Sequence, residues 1–148
     1  MRQAVAFAFA CGITAAAGCG GGPTMHTLAQ PAYIWGREHG LCGRTVAMDR
    51  DGVLWAEAGC ENPDTRYSRI RALPAVERAA VVAAFTSVAD AAPAEVASDC
   101  PLVHQLIVMK PDGGYAEWRA CATAGTDADP TAGLAEPYAA AIRALPIK

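Results

Sequence analysis

The sequence predicts an α+β domain: an antiparallel sheet with two helices on one face, stapled by disulfides and built from a duplicated β-β-α unit. Three observations lead there. Apolar runs flank two Asp-Gly turns, at Asp51-Gly52 and Asp112-Gly113, which is the sequence form of a β-hairpin. Each hairpin is followed by a stretch whose apolar residues recur at helical spacing. Met48-Asp49-Arg50-Asp51-Gly52 also aligns without a gap on Met109-Lys110-Pro111-Asp112-Gly113, and the same offset carries Cys60 onto Cys121. Chance similarity between two hairpins of an ordinary α+β domain would leave the architecture unchanged.

The start of the chain is organised around Cys19. Arg2 precedes an apolar run with Val5, Phe7, Phe9 and Ile13, which ends in Ala16-Ala17-Gly18. A charged start, an apolar middle and small residues at the end make a secretory signal, too short to span a bilayer. Its end resembles the bacterial lipoprotein signal, in which a peptidase cuts before a cysteine carrying a diacylglyceryl group. The resemblance makes residues 1–18 the signal peptide and Cys19 the lipidated residue, with membrane lipid as its partner. That pathway attaches three acyl chains, and two or more hold a protein stably on a membrane. The alternative is cleavage after Ala15, Ala17 or Gly18, which would release a soluble secreted or periplasmic protein.

Residues 20–31 show no periodicity and open on Gly20-Gly21-Gly22-Pro23. Residues 19–31 therefore read as a lipidated cysteine and flexible tether that stands a single domain, 32–148, off the membrane. Cleavage before Cys19 leaves 130 of the 148 residues, the size of one domain. Loss of Arg2 takes the formal charge from −3 to −4, which gives no electrostatic footprint for nucleic acid. No polybasic run flanks Cys19, so membrane contact is expected from acyl chains rather than from charge.

The domain then unfolds in order. Tyr33-Ile34-Trp35 is a short strand, followed by a glycine-punctuated connection over 36–43. Thr45-Val46-Ala47-Met48 and Val53-Leu54-Trp55-Ala56 form the first hairpin. Pro74 suits the first turn of a helix, which runs to about residue 91 with Val81, Phe85, Val88 and Ala92 as its apolar stripe. Pro93 stops it. Arg66, Arg69, Arg71 and Arg78 flank the helix start as a solvated basic face, or as a patch for an acidic partner. Residues 102–109 and 115–122 form the second hairpin, with Tyr115, Glu117 and Arg119 on one face and Ala116, Trp118 and Ala120 on the other. A closing helix is expected over 134–145.

Of the six cysteines, Cys11 leaves with the signal and Cys19 is acylated; Cys42, Cys60, Cys100 and Cys121 remain. Their spacings of 18, 40 and 21 residues lack the close pairs of a metal site, and an even number in an exported chain reads as disulfides. A type I turn with a glycine bulge pairs Asp49 with Val53, and that register sets Cys42 opposite Cys60. In the second hairpin the register leaves Cys100 three residues short of Cys121, so their bridge needs a bent segment before the strand. Cys60–Cys121 is the leading rival, because these cysteines occupy equivalent positions in the repeat.

Little in the chain announces chemistry. No G-x-S-x-G, H-E-x-x-H, Walker or G-x-G-x-x-G pattern occurs, and no cofactor, metal or catalytic set is expected. Glu38, His39 and His104 are the one set that could act together in a small hydrolase or around a metal; a solvated Glu-His pair and a structural strand histidine is the plainer reading. Asp49-Arg50-Asp51-Gly52 carries part of a calcium loop, but a turn explains it better. Trp35, Trp55 and Trp118 fall on strands and read as packing residues.

Gly40-Leu41-Cys42-Gly43 after the first strand, Leu73-Pro74 at the helix start, and the run Cys100-Pro101-Leu102-Val103-His104-Gln105-Leu106-Ile107-Val108 resemble the emfourin-type family, whose founding member inhibits a thermolysin-like metalloprotease. The resemblance implies a non-enzymatic binding module, with Glu38, His39 and Leu41 on the 36–43 loop as binding residues and an extracytoplasmic protein such as a protease as partner. The expected location is the cell envelope, lipid-anchored at the outer membrane or cell surface. An envelope protein with a structural or stress role is the alternative.

Overall fold

A computed structural model describes residues 22–38, 42–60, 66–91, 96–122 and 129–146. Strands β1 (Ala32–Glu38), β2 (Cys42–Met48), β3 (Val53–Cys60), β4 (Ser68–Ala72), β5 (Val103–Met109) and β6 (Tyr115–Cys121) form one six-stranded sheet in the order β4-β3-β2-β1-β5-β6. Every neighbouring pair is antiparallel. Helices α1 (Ala75–Ala89) and α2 (Tyr138–Ala144) follow the two hairpins.

Both hairpins close in the same way. Gly52 N–H donates to Asp49 O at 3.0 Å and Asp49 N–H to Val53 O at 3.0 Å; Gly113 N–H donates to Lys110 O at 2.9 Å and Lys110 N–H to Gly114 O at 2.7 Å. Gly52 and Gly113 sit at φ +78° and +83°, a region costly for any residue with a Cβ. This glycine-bulge turn fixes the register, which runs out to Cys42 opposite Cys60 and Val103 opposite Cys121. The sheet is more than two hairpins laid side by side, however. β1 lies between β2 and β5, and β4 adds a strand outside β3.

β4 is an added edge strand that holds two of the arginines expected as a basic face at the helix start. Arg69 and Arg71 lie within this edge strand, on which four of five residues are exposed. An edge strand with no buried face needs no alternation, so the apolar period that marks other strands is missing. Its register with β3 slips between Leu54 and Trp55, which leaves Ile70 between Arg69 and Arg71 without a paired residue. α1 starts at Ala75, with Pro74 as its N-cap, and α2 starts only at Tyr138, four residues later than its apolar spacing suggests. Pro137 explains the delay, since proline lacks the N–H that a helix interior uses.

One face of the sheet carries the main core. Trp35, Val46, Met48, Leu54 and Leu106 pack with Val81, Phe85 and Val88 of α1 and Tyr138, Ala141 and Ile142 of α2. Full burial of a side chain such as Phe85 or Leu54 stabilises by about 1.5–3 kcal/mol each. α1 and α2 therefore share the expected single face. Ala92 and Pro93 lie outside the described residues.

The opposite face is closed at one end by residues 22–31, which pack against the sheet, while residues 19–21 of the expected tether lie outside the described residues. Leu28 is buried with Ala32, Ile34, Ala47, Tyr67 and Met109. Tyr67 N–H donates to Pro23 O at 2.9 Å and Arg50 N–H to Ala29 O at 2.7 Å, while Met25–Thr27 forms a turn of 3-10 helix. A segment without periodicity can dock when one apolar residue finds a pocket and its backbone groups find partners. Gly22 makes the approach feasible, because a Cβ there would stand 1.8 Å from the Tyr67 carbonyl oxygen. Gly22→Ala is therefore expected to undock the segment and cost about 1–3 kcal/mol in urea unfolding, with faster hydrogen exchange at the Tyr67 amide. Unchanged stability together with unchanged exchange would contradict this packing.

Candidate functional site

The Cys100–Cys121 bridge lies at one end of the sheet, where β1 and β3 end and β2 and β5 begin. Cys100 and Cys121 form a disulfide with Cα atoms 5.8 Å apart. Cys100 sits in the bent stretch before β5, as the three-residue offset demands, and its bond to Cys121 overturns the Cys60–Cys121 alternative. Cys42 and Cys60 are register partners across β2 and β3, but their side chains lie outside the described residues.

Of the expected binding residues, Glu38 ends β1 with its side chain outside the described residues, and His39 and Leu41 lie outside them altogether. His104 is described fully. It lies on β5 opposite Arg37 of β1, on the same sheet face as Leu106, and is 1% exposed. Trp35 Nε1–H donates to His104 Nδ1 at 2.9 Å, and the two rings lie near parallel with centroids 5.8 Å apart. The Nδ1 lone pair is thereby used, which puts the imidazole proton on Nε2. His104 Nε2 is buried without a hydrogen-bond partner.

Burial, reinforced by the Arg37 guanidinium, lowers the His104 pKa to about 4. A neutral ring with one nitrogen engaged and the other protonated offers no lone pair to a metal or a substrate proton. His104 is thus an acceptor inside the core, paired with Trp35. Sequence reading placed both on strands but missed the pair; the available signal was the alternation that puts each on the apolar side of its strand. Among the described residues, no three of His, Cys, Asp and Glu stand close enough to hold a metal ion.

Asp49, 4% exposed, shows the same logic in the first turn. Its Oδ1 accepts from the N–H groups of Asp51 at 3.0 Å and Val53 at 2.9 Å, and its Oδ2 accepts from Trp55 Nε1–H at 2.8 Å. Both oxygens serve the turn and the tryptophan, which is why this stretch reads as a turn rather than a cation loop. On the opposite face, burial and then the Glu57 carboxylate push the Tyr67 hydroxyl well above its usual pKa. Near α2, the Thr131 hydroxyl and N–H donate to Asp129 and hold its carboxyl below the usual range.

Compared with known protein families and with curated proteins, the chain matches none. No helix among the described residues is long and apolar enough to cross a membrane.

The histidine sets a pH dependence whose sign follows directly. The unfolded chain takes up this proton near pH 6.5 and the folded chain only near pH 4, so protons favour unfolding throughout that window. Stability should fall as pH drops from 6.5 to 4, by up to about 3 kcal/mol from this residue. His104→Asn, which keeps an acceptor but cannot titrate, should flatten that slope in urea titrations. Equal slopes for the two proteins would rule the mechanism out.

Proposed function

We propose that the protein is a bacterial lipoprotein of the cell envelope, anchored through acyl chains on Cys19, whose domain is a non-enzymatic binding module. The observation that carries this is the apolar export signal closing on Ala16-Ala17-Gly18-Cys19. The Cys100–Cys121 disulfide supports an oxidising compartment outside the cytoplasm. Cys42 and Cys60, facing one another in register, form the second disulfide in this reading. The matching turn hydrogen bonds support descent of the two hairpins, each with its helix, from one duplicated unit.

The binding surface in this proposal is the turn from β1 to β2 with Glu38, His39 and Leu41; the connection expected over 36–43 is shorter, because 36–38 belong to β1 and 42–43 to β2. Its base is stiff, because Arg37 is paired with Arg44 of β2 on one side and with His104 of β5 on the other. A loop held at its stem loses little entropy on binding, which is what an inhibitor of an extracytoplasmic peptidase requires. The resemblance to the emfourin-type family points to a metalloprotease as that partner.

Labelling cells with palmitate tests the anchor: the protein should take up label, and Cys19→Ala should lose it. An unlabelled protein, or a variant that keeps its label, would refute lipidation at Cys19. Inhibition of a secreted metalloprotease at micromolar protein supports the narrower reading, and its absence removes it.

A further inference from the structure

If Cys19 is acylated, the docking of residues 22–31 decides how the domain meets the bilayer. Whatever conformation Gly20 and Gly21 take, three peptide units place Cys19 within about 11 Å of Gly22. Gly22 itself is fixed against Tyr67 O and beside the Trp55 ring. Tyr67 immediately precedes β4, and its N–H is bonded to Pro23 O. The chain therefore leaves the domain at the beginning of the β4 edge.

That edge fits a headgroup layer. Arg66 adjoins Tyr67 and is exposed, as is Arg69. Arg69 lies opposite Trp55 and so projects on the same side of the sheet as Gly22. Neither arginine makes an ion pair among the described residues, whereas Arg71, on the helix side, is held by Glu77 at 2.8 Å. Ile70, 43% exposed, adds an apolar side chain next to Arg69. Glu57, the acidic residue acting on Tyr67, sits on β3 and is partly buried. The sequence carries no basic run beside Cys19, yet the fold sets two exposed arginines on and beside the strand edge against which Gly22 packs.

We propose that the β4 edge lies against the phospholipid headgroups of the leaflet that holds the acyl chains, with Arg66 and Arg69 on lipid phosphates. The proposal rests on lipidation of Cys19 and adds an orientation to it. The β6 edge, at the far end of the sheet, then points away from the membrane.

Hydrogen exchange on the full lipidated protein, reconstituted in phosphatidylethanolamine–phosphatidylglycerol vesicles, tests this. The comparison is a lipidated variant with a spacer of about twenty Gly and Ser residues inserted before Gly22, long enough to span about 25 Å. Amides of residues 66–72 should exchange more slowly in the native protein than in the spacer variant. The double variant R66E/R69E should reduce that protection about tenfold, while Lys110→Glu in the second turn should not. Equal exchange in native and spacer proteins, or protection falling on residues 115–121 instead, would overturn the orientation. Absence of acyl mass on the purified chain, checked first, would instead overturn the lipidation on which it rests.

Discussion

The seam between β1 and β5 is the constraint on which the rest of the domain depends. It joins residues 32–38 to residues 103–109 over seven register pairs, across the chain's first hairpin, β4 and α1. Contacts between segments so far apart carry a large closure entropy and need a specific reward. The Trp35–His104 hydrogen bond crosses this seam in the core, where a misregistered β5 would leave an indole N–H and an imidazole nitrogen buried without partners. Apolar packing supplies most of the stability; this bond selects one register. The same division of labour recurs at Asp49, whose carboxylate ties its own turn to Trp55.

From that seam the two faces acquire different tasks. The helix face holds the main core and shields His104. The other face is closed at one end by the chain's own residues 22–31, so packing on the sheet reaches back at least to Gly22. If the proposed anchor at Cys19 holds, a domain packed from Gly22 onward takes a set orientation relative to the bilayer, and the turn from β1 to β2 lies at the Cys100–Cys121 end of the sheet. The proposed lipid contact and the proposed protein contact thus fall on separate parts of one rigid sheet.

Much of this was legible in the sequence. Asp51-Gly52 and Asp112-Gly113 fixed both hairpin registers, because a glycine at positive φ admits few alternatives. The stripe Val81, Phe85 and Val88 marked the buried side of α1. β4 was illegible because Arg69, Ile70 and Arg71 bury no face, and residues 22–31 because Leu28 is the single large apolar side chain they bury. The role of His104 depended on which strand lies beside β5, a long-range fact that no local pattern encodes. The candidate loop was legible as a location, while the Glu38 side chain, His39 and Leu41 lie outside the described residues.

The protonation state of His104 tests this account most directly. Nitrogen-15 NMR of the labelled protein should find Nε2 protonated and Nδ1 bare at neutral pH, with that signature persisting until close to pH 4. A proton on Nδ1, or titration near pH 6.5, would contradict the Trp35–His104 bond and with it the seam as the element that sets the register.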